Sequence, residues 1–217
     1  MIEELHEEMD QAAKTSFPHK YQDILREFNA RIDTSSPEKF HSELGETGIF
    51  DQQKKHRYWV DEKGKNCFMV YARALRIAWS GNRRQWRWYT ERANNSDVSV
   101  EVAELLRAYW LEVHGFFETG YLTPDTKYEV SYVIKMKEPS SGWEDNVDFS
   151  LTLPQNTMRG LNINKKNLKQ ISREDWSYIR VDEFTPGQSG KMDFMLRQPG
   201  RLKTGLVIKG VAIRPTT

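Results

Sequence analysis

The stretch RIAWSGNRRQWRWY, from Arg76 to Tyr89, gathers three tryptophans and four arginines around a polar centre, Ser80-Gly81-Asn82, that reads as a turn. Indole rings in such a setting can be core. They can also stack on nucleic-acid bases beside Arg83, Arg84, Arg87 and Arg92, or form an apolar platform for the C–H face of a sugar. In the last case Asn82 and nearby backbone groups would bond the sugar's hydroxyl and acetamido substituents. Alternation in the strand before the turn places Leu75, Ile77 and Trp79 on one face, which makes Trp79 a core candidate. After the turn Trp86 and Trp88 share a face, opposite Gln85, Arg87 and Tyr89. Residue chemistry alone leaves the three uses open.

Other groups that could do chemistry read more plainly as structure. Glu3, His6, Glu7 and Asp10 lie close on a helix and form a solvated face, not a metal site. His114 sits among apolar and aromatic residues with no second residue marking it as a base. Nothing fixes a hydrolytic separation among Glu101, Glu104 and Glu112. Gly187-Gln188-Ser189-Gly190 is a hairpin connection, too short to cradle phosphate. The run Lys165-Lys166-Asn167-Leu168-Lys169 faces solvent and could touch phosphate nonspecifically. Cys67 reads as a small packed side chain, and only a surface location would open the question of intermolecular crosslinking. No cofactor, metal or catalytic residue is expected.

These residues must be positioned by two kinds of element. In the first part, Ile2, Leu5, Met9 and Ala12 fall at helical spacing over 1–14. Ser16 and Pro18 predict the start of a second helix carrying Phe17, Tyr21, Ile24, Leu25, Phe28 and Ile32. Ser36-Pro37 predicts a third, ending at Gly45. From Tyr58 the period becomes two, with strands expected over 58–60, 67–79, 85–91, 109–119, 127–137, 147–153, 177–183, 192–197 and 206–213. Residues 98–107 are the one helical exception. Many short strands with frequent turns predict a mainly β fold, an antiparallel jelly-roll-like β-sandwich, behind an α-helical segment. The division is residues 1–50 for the segment and 51–217 for the sandwich domain.

Composition limits the partners. The 217 residues include 32 basic and 31 acidic side chains, so the whole chain lacks the field of a dedicated nucleic-acid binder, and any basic patch is local. One cysteine excludes an intrachain disulfide framework. No apolar run has the length of a signal peptide or a membrane span, which predicts a soluble protein in a reducing compartment. Asn94-Asn95-Ser96 then reads as a loop and not as a glycosylated site.

The segment YWVDEKGKNCFMVYARALRIAWSGNRRQWRWY, with VEVAELLRAYWLEVHGFFET and LVIKGVAIRP downstream, resembles the phloem protein 2 lectin family, relatives of Nictaba, from about Tyr58 to Pro215. The leader, with LHEEM and AAKTS, is further similar to that of cucurbit phloem lectins. The resemblance implies a noncatalytic β-sandwich lectin for N-acetylglucosamine oligomers, chitooligosaccharides and the N-glycan core, commonly a homodimer. It implies a cytoplasmic location in phloem sieve elements and companion cells, a phloem filament protein as a partner, and RNA binding through a basic surface as the alternative function. By motif the site residues are Trp79, Asn82 and Trp86, with Trp88 assigned to the core. Arg83 and Gln85 stand where the family commonly has proline and tyrosine, and Lys191 and Gln198 occupy the region near the penultimate strand where some relatives use acidic side chains.

Overall fold

The computed structural model describes residues 15–93, 96–156 and 162–216. The amphipathic stretch expected over 1–14 and the asparagines of Asn94-Asn95-Ser96 lie outside these. Among the described residues two short helices precede the sheets: α1, Tyr21–Glu27, and α2, Pro37–Leu44. α2 begins as its sequence predicts, with Ser36 Oγ accepting from the Lys39 N–H and Gly45 closing the end. α1 does not start at Ser16. Its N-cap is Lys20 in the left-handed region, with no side-chain cap, because His19 and Lys20 form a turn closed by the Tyr21 N–H on the Pro18 carbonyl, and the His19 carbonyl accepts from Asn66. Ile24, Leu25, Phe28, Phe40 and Leu44 enter the same apolar core as the sheets.

Among the described residues thirteen strands form two antiparallel sheets packed as a β-sandwich, the class the alternation predicts. The larger sheet runs β1 (Ile49–Phe50), β2 (His56–Val60), β3 (Asn66–Tyr71), β13 (Thr204–Pro215), β6 (Ser99–Leu105) and β5 (Trp86–Arg92). On its other side β13 pairs with β8 (Tyr128–Ser141), which pairs with β11 (Ser177–Phe184). The smaller sheet has the order β10 (Ile163–Lys166), β9 (Val147–Thr152), β12 (Lys191–Gln198), β7 (Leu111–Glu118) and β4 (Arg76–Ile77).

Two departures from the predicted elements have clear causes. Residues 99–105 are a strand, not a helix, because Val102 and Ala103 are buried on opposite faces of β6, which lies between β5 and β13. The run expected as one strand over 67–79 breaks at Ala72–Ala74 into a 3₁₀ turn, and the chain passes from the larger sheet to the smaller. Cys67 is buried in β3, so its thiol is not at the surface, and burial pushes its pKa upward.

The two layers are tied through their middle. Tyr132, fully buried on β8, donates its hydroxyl to the Val113 carbonyl of β7 at 2.9 Å. Gly115, two residues along β7, leaves room for the Phe194 ring; a Cβ there would lie 2.0 Å from Phe194 Cε2. Both features hold β7 against the core and leave its alternate residues facing outward.

Candidate functional site

On β7 the inward residues Leu111, Val113 and Gly115 are buried, and Glu112, His114 and Phe116 stand on the outer face. Across the ladder to β12, Arg197 is opposite Glu112, Met195 opposite His114 and Asp193 opposite Phe116. On the other side β4 brings Arg76 opposite His114. The result is an open groove of about 580 Å³, lined by Arg76, Ser80, Glu112, His114, Phe116 and Asp193 with the ends of Leu75, Ile77 and Ala78.

Its polar groups are held in fixed directions. Glu112 accepts the Trp110 indole N–H at 3.1 Å on one oxygen and meets His114 Nε2 at 3.0 Å on the other. Asp193 Oδ2 lies 3.8 Å from His114 Nδ1. Burial raises the Asp193 pKa, and His114 and Lys191 offset this in part. Phe116 forms the apolar floor, with the Lys191 ammonium 3.8 Å and the Arg76 guanidinium 5.0 Å from its ring centre. The side chains therefore offer carboxylate acceptors, cationic donors and an aromatic surface together.

The tryptophan-bearing loop closes one end of this groove. Ala78 makes the last ladder bond, donating its N–H to the Glu112 carbonyl at 3.0 Å. The next residue, Trp79, has φ 61°, in the left-handed region where a bulky side chain is uncommon. That rotation turns the ring out of the core face to which alternation assigns it, and Trp79 is 66% exposed, the most exposed of the large apolar residues among those described. No hydrogen bond holds its indole N–H among the described residues.

Asn82 is a loop staple. Its backbone N–H donates to the Trp79 carbonyl at 2.8 Å, its carbonyl accepts from Gln85 and Trp86, and its side-chain oxygen accepts from the Arg84 N–H at 3.0 Å. Trp86 stands apart from Trp79. It is 2% exposed, and its indole N–H donates inward to the Ala78 carbonyl at 3.0 Å, so the ring supports the loop from below and does not line the groove. Trp88 is half-buried, with its N–H on the Ser80 carbonyl at 3.1 Å and the Arg73 guanidinium 3.7 Å from its ring centre. The three tryptophans thus have two roles: Trp79 is presented, and Trp86 and Trp88 buttress Ala78 and Ser80.

The remaining candidates separate across the molecule. Glu104 pairs with Arg87 and Lys137 on the outer face of the larger sheet, and Glu101 pairs with Arg73, whereas Glu112 faces outward from the smaller sheet. Lys191 and Gln198 mark the two ends of β12; Gln198 donates to the Asp145 carbonyl, and the carboxylate that β12 gives the groove is Asp193, between them. Sequence reading missed Asp193 and the Glu112–His114 pair as groove residues. Their spacing of two along β7 was visible, but not which face stays uncovered. Among the described residues no group of three or more His, Cys, Asp or Glu side chains could hold a metal ion. No helix among them is long and apolar enough to cross a membrane.

The fold and this groove define a class: an antiparallel β-sandwich with an open cleft on one sheet and, in the loop that follows β4, an exposed tryptophan. The Phloem protein 2 family model matches residues 65–215, and the chain belongs to that family. It is 37% identical over 209 residues to Protein PHLOEM PROTEIN 2-LIKE A1 of Arabidopsis thaliana, with 94% of this chain and 83% of that one covered. It is 36% identical over 174 residues to a protein of Luffa acutangula named Lectin, covering 77% and 80% of the two chains. Among solved structures, the xylan-binding domain CBM22-1 of Paenibacillus barcinonensis Xyn10C aligns with 67% of this chain and 87% of its own, with a TM-score of 0.40 and 9% identity.

Proposed function

We propose that the protein is a noncatalytic phloem lectin that binds N-acetylglucosamine oligomers in the groove on the five-stranded sheet. The observation that carries this reading is Trp79: a large ring turned outward by a left-handed backbone, at the end of a groove with acceptors and donors in place. The exposed indole offers a stacking face for the apolar side of a pyranose, and Asp193, Glu112 and the Asn82 amide offer bonds to hydroxyl and acetamido groups. Membership of the phloem protein 2 family and the likeness to the Luffa lectin support the same reading. Trp86 acts through the loop, by supporting it from below, and Asn82 also braces the loop through its backbone and side-chain oxygen. Glu112 has both oxygens engaged, by Trp110 and His114, which suits a fixed acceptor and not a proton donor.

Calorimetry with chitotriose and with the monosaccharide tests the proposal. Binding of the trisaccharide, stronger than that of the single sugar and almost independent of salt, is expected. Absence of chitotriose binding together with tight, salt-sensitive RNA binding would exchange this function for the RNA alternative. Two copies joined as a homodimer would gain avidity on a repeating glycan, and light scattering at high concentration checks that state.

A further inference from the structure

Beyond Trp79, large exposed apolar side chains gather at the same end of the groove. Tyr109 is 64% and Trp110 42% exposed, and both immediately precede β7. Trp110 has the parity of Glu112, His114 and Phe116, so its side chain belongs to the groove face. The ladder bond from Ala78 to Glu112 puts the exit of Trp79 from β4 beside the entry of Trp110 into β7, about one strand spacing away.

Two contacts orient the Trp110 side chain. Its indole N–H is fixed on Glu112 Oε2, and the Arg197 guanidinium, from the neighbouring strand, sits 4.8 Å from its ring centre. The backbone beneath is anchored too. Ala108 and Lys203 exchange two backbone hydrogen bonds of 3.0 and 2.8 Å, and the buried Lys203 ammonium donates to the Tyr109 carbonyl at 3.1 Å and the Arg201 carbonyl at 2.6 Å. Burying that ammonium is unfavourable and lowers its pKa. The fold accepts this cost at the residue that fixes the backbone next to Trp110. An indole backed by a cation, with its N–H satisfied and its loop immobilised, leaves its open face to solvent at little cost in ordering.

We infer that Trp110 is a second stacking platform of the same groove, so that a linear oligosaccharide is read across two rings, one unit on Trp79 and a further unit on Trp110. This rests on the lectin reading above and adds to it a length requirement and the residue that sets it. Trp110 touches the ligand; Lys203 and Arg197 are positioning residues behind it.

The test is calorimetry of the full chain with chitobiose, chitotriose and chitotetraose, for the wild type and for Trp79→Leu, Trp110→Leu and Trp110→Phe. The wild type should gain roughly two- to ten-fold in affinity when the oligomer becomes long enough to reach the second ring. Trp110→Leu should abolish that gain and keep the affinity for the shorter oligomer, Trp110→Phe should restore part of it, and Trp79→Leu should weaken every oligomer. A length-dependent gain that survives intact in folded Trp110→Leu overturns the inference and leaves the lectin reading standing. A wild type that binds no chitooligosaccharide overturns both. Should Trp110→Leu fail to fold, the wild-type chain labelled with 5-fluorotryptophan decides: the Trp110 resonance, assigned with Trp110→Phe, must shift with chitotriose, and its constancy during binding refutes the second platform.

Discussion

Replacing Trp79 and Trp86 one at a time separates a ring that is presented from a ring that supports. Trp86 is 2% exposed and its N–H is bonded to the Ala78 carbonyl, so Trp86→Ala removes a core side chain and orphans an acceptor. Large-to-small changes of this kind cost about 3–5 kcal/mol. In a chain of this size each kcal/mol moves the midpoint by roughly 2–4 °C, which gives a fall of about 6–20 °C. Trp79→Gly is the opposite case. The ring is mostly in water, so little burial is lost, and glycine relieves the left-handed backbone while adding freedom to the unfolded chain. The midpoint should stay within a few degrees of the wild type, and chitotriose affinity should fall by roughly two- to ten-fold, the value of one lost stack. Differential scanning calorimetry and titration calorimetry on the same preparations read both quantities. If Trp86→Ala melted like the wild type yet failed to bind, Trp86 would be a contact residue and the supporting role given to it here would be wrong. If Trp79→Gly melted far lower, the ring would be core.

Tyr132→Phe deletes the hydroxyl bond to the Val113 carbonyl that ties β8 to β7, and urea unfolding should show a loss of about 0.5–1.5 kcal/mol. Gly115→Ala drives a methyl into Phe194 and Leu75, with an expected loss of at least about 1–3 kcal/mol; unchanged stability would show that the two layers are not fixed at this point. Asp193 has a raised pKa because burial disfavours its charge, so the folded state binds its proton more tightly than the unfolded state, and the wild type loses stability as pH rises through that range. Asp193→Asn mimics the protonated form. Its stability relative to the wild type should therefore be greater at pH 7 than at pH 4 in paired unfolding curves, and the reverse order would count against the stated cause.

The sandwich was legible because its evidence is local and repeated. Alternation through Leu111, Val113 and Gly115 requires a strand with one face in the core whatever it pairs with. Ser36, Pro37 and Gly45 fix a helix by capping chemistry within one turn at each end. Ser16 and Pro18 carry the same symbols, but a turn at His19-Lys20, whose His19 carbonyl accepts a long-range bond from Asn66, delays the helix to Tyr21. β10 was missed because Ile163–Lys166 is an exposed edge strand whose four residues show no buried face. The groove was partly hidden for a related reason. The order of residues on β7 says which of them share a face, but whether Glu112, His114 and Phe116 remain uncovered depends on strands β4 and β12, which come from distant parts of the chain. Trp79 illustrates the limit most directly, since one backbone rotation outside the strand pattern moves its ring from the core side to water.

β13 is the last strand in the chain order, yet it pairs with β3, β6 and β8. Its register with β3 joins Gly210 to Tyr71 and Ile213 to Phe68, contacts that close loops of well over a hundred residues. On a ribosome, β3, β6 and β8 are made long before the strand that completes them, and their apolar edges stay open for the whole interval. Pairing this non-local slows folding, and the larger sheet is completed only on the arrival of residues 204–215. A nascent chain stalled before that point would be a substrate for chaperones and proteases, whatever the quality of the groove already encoded.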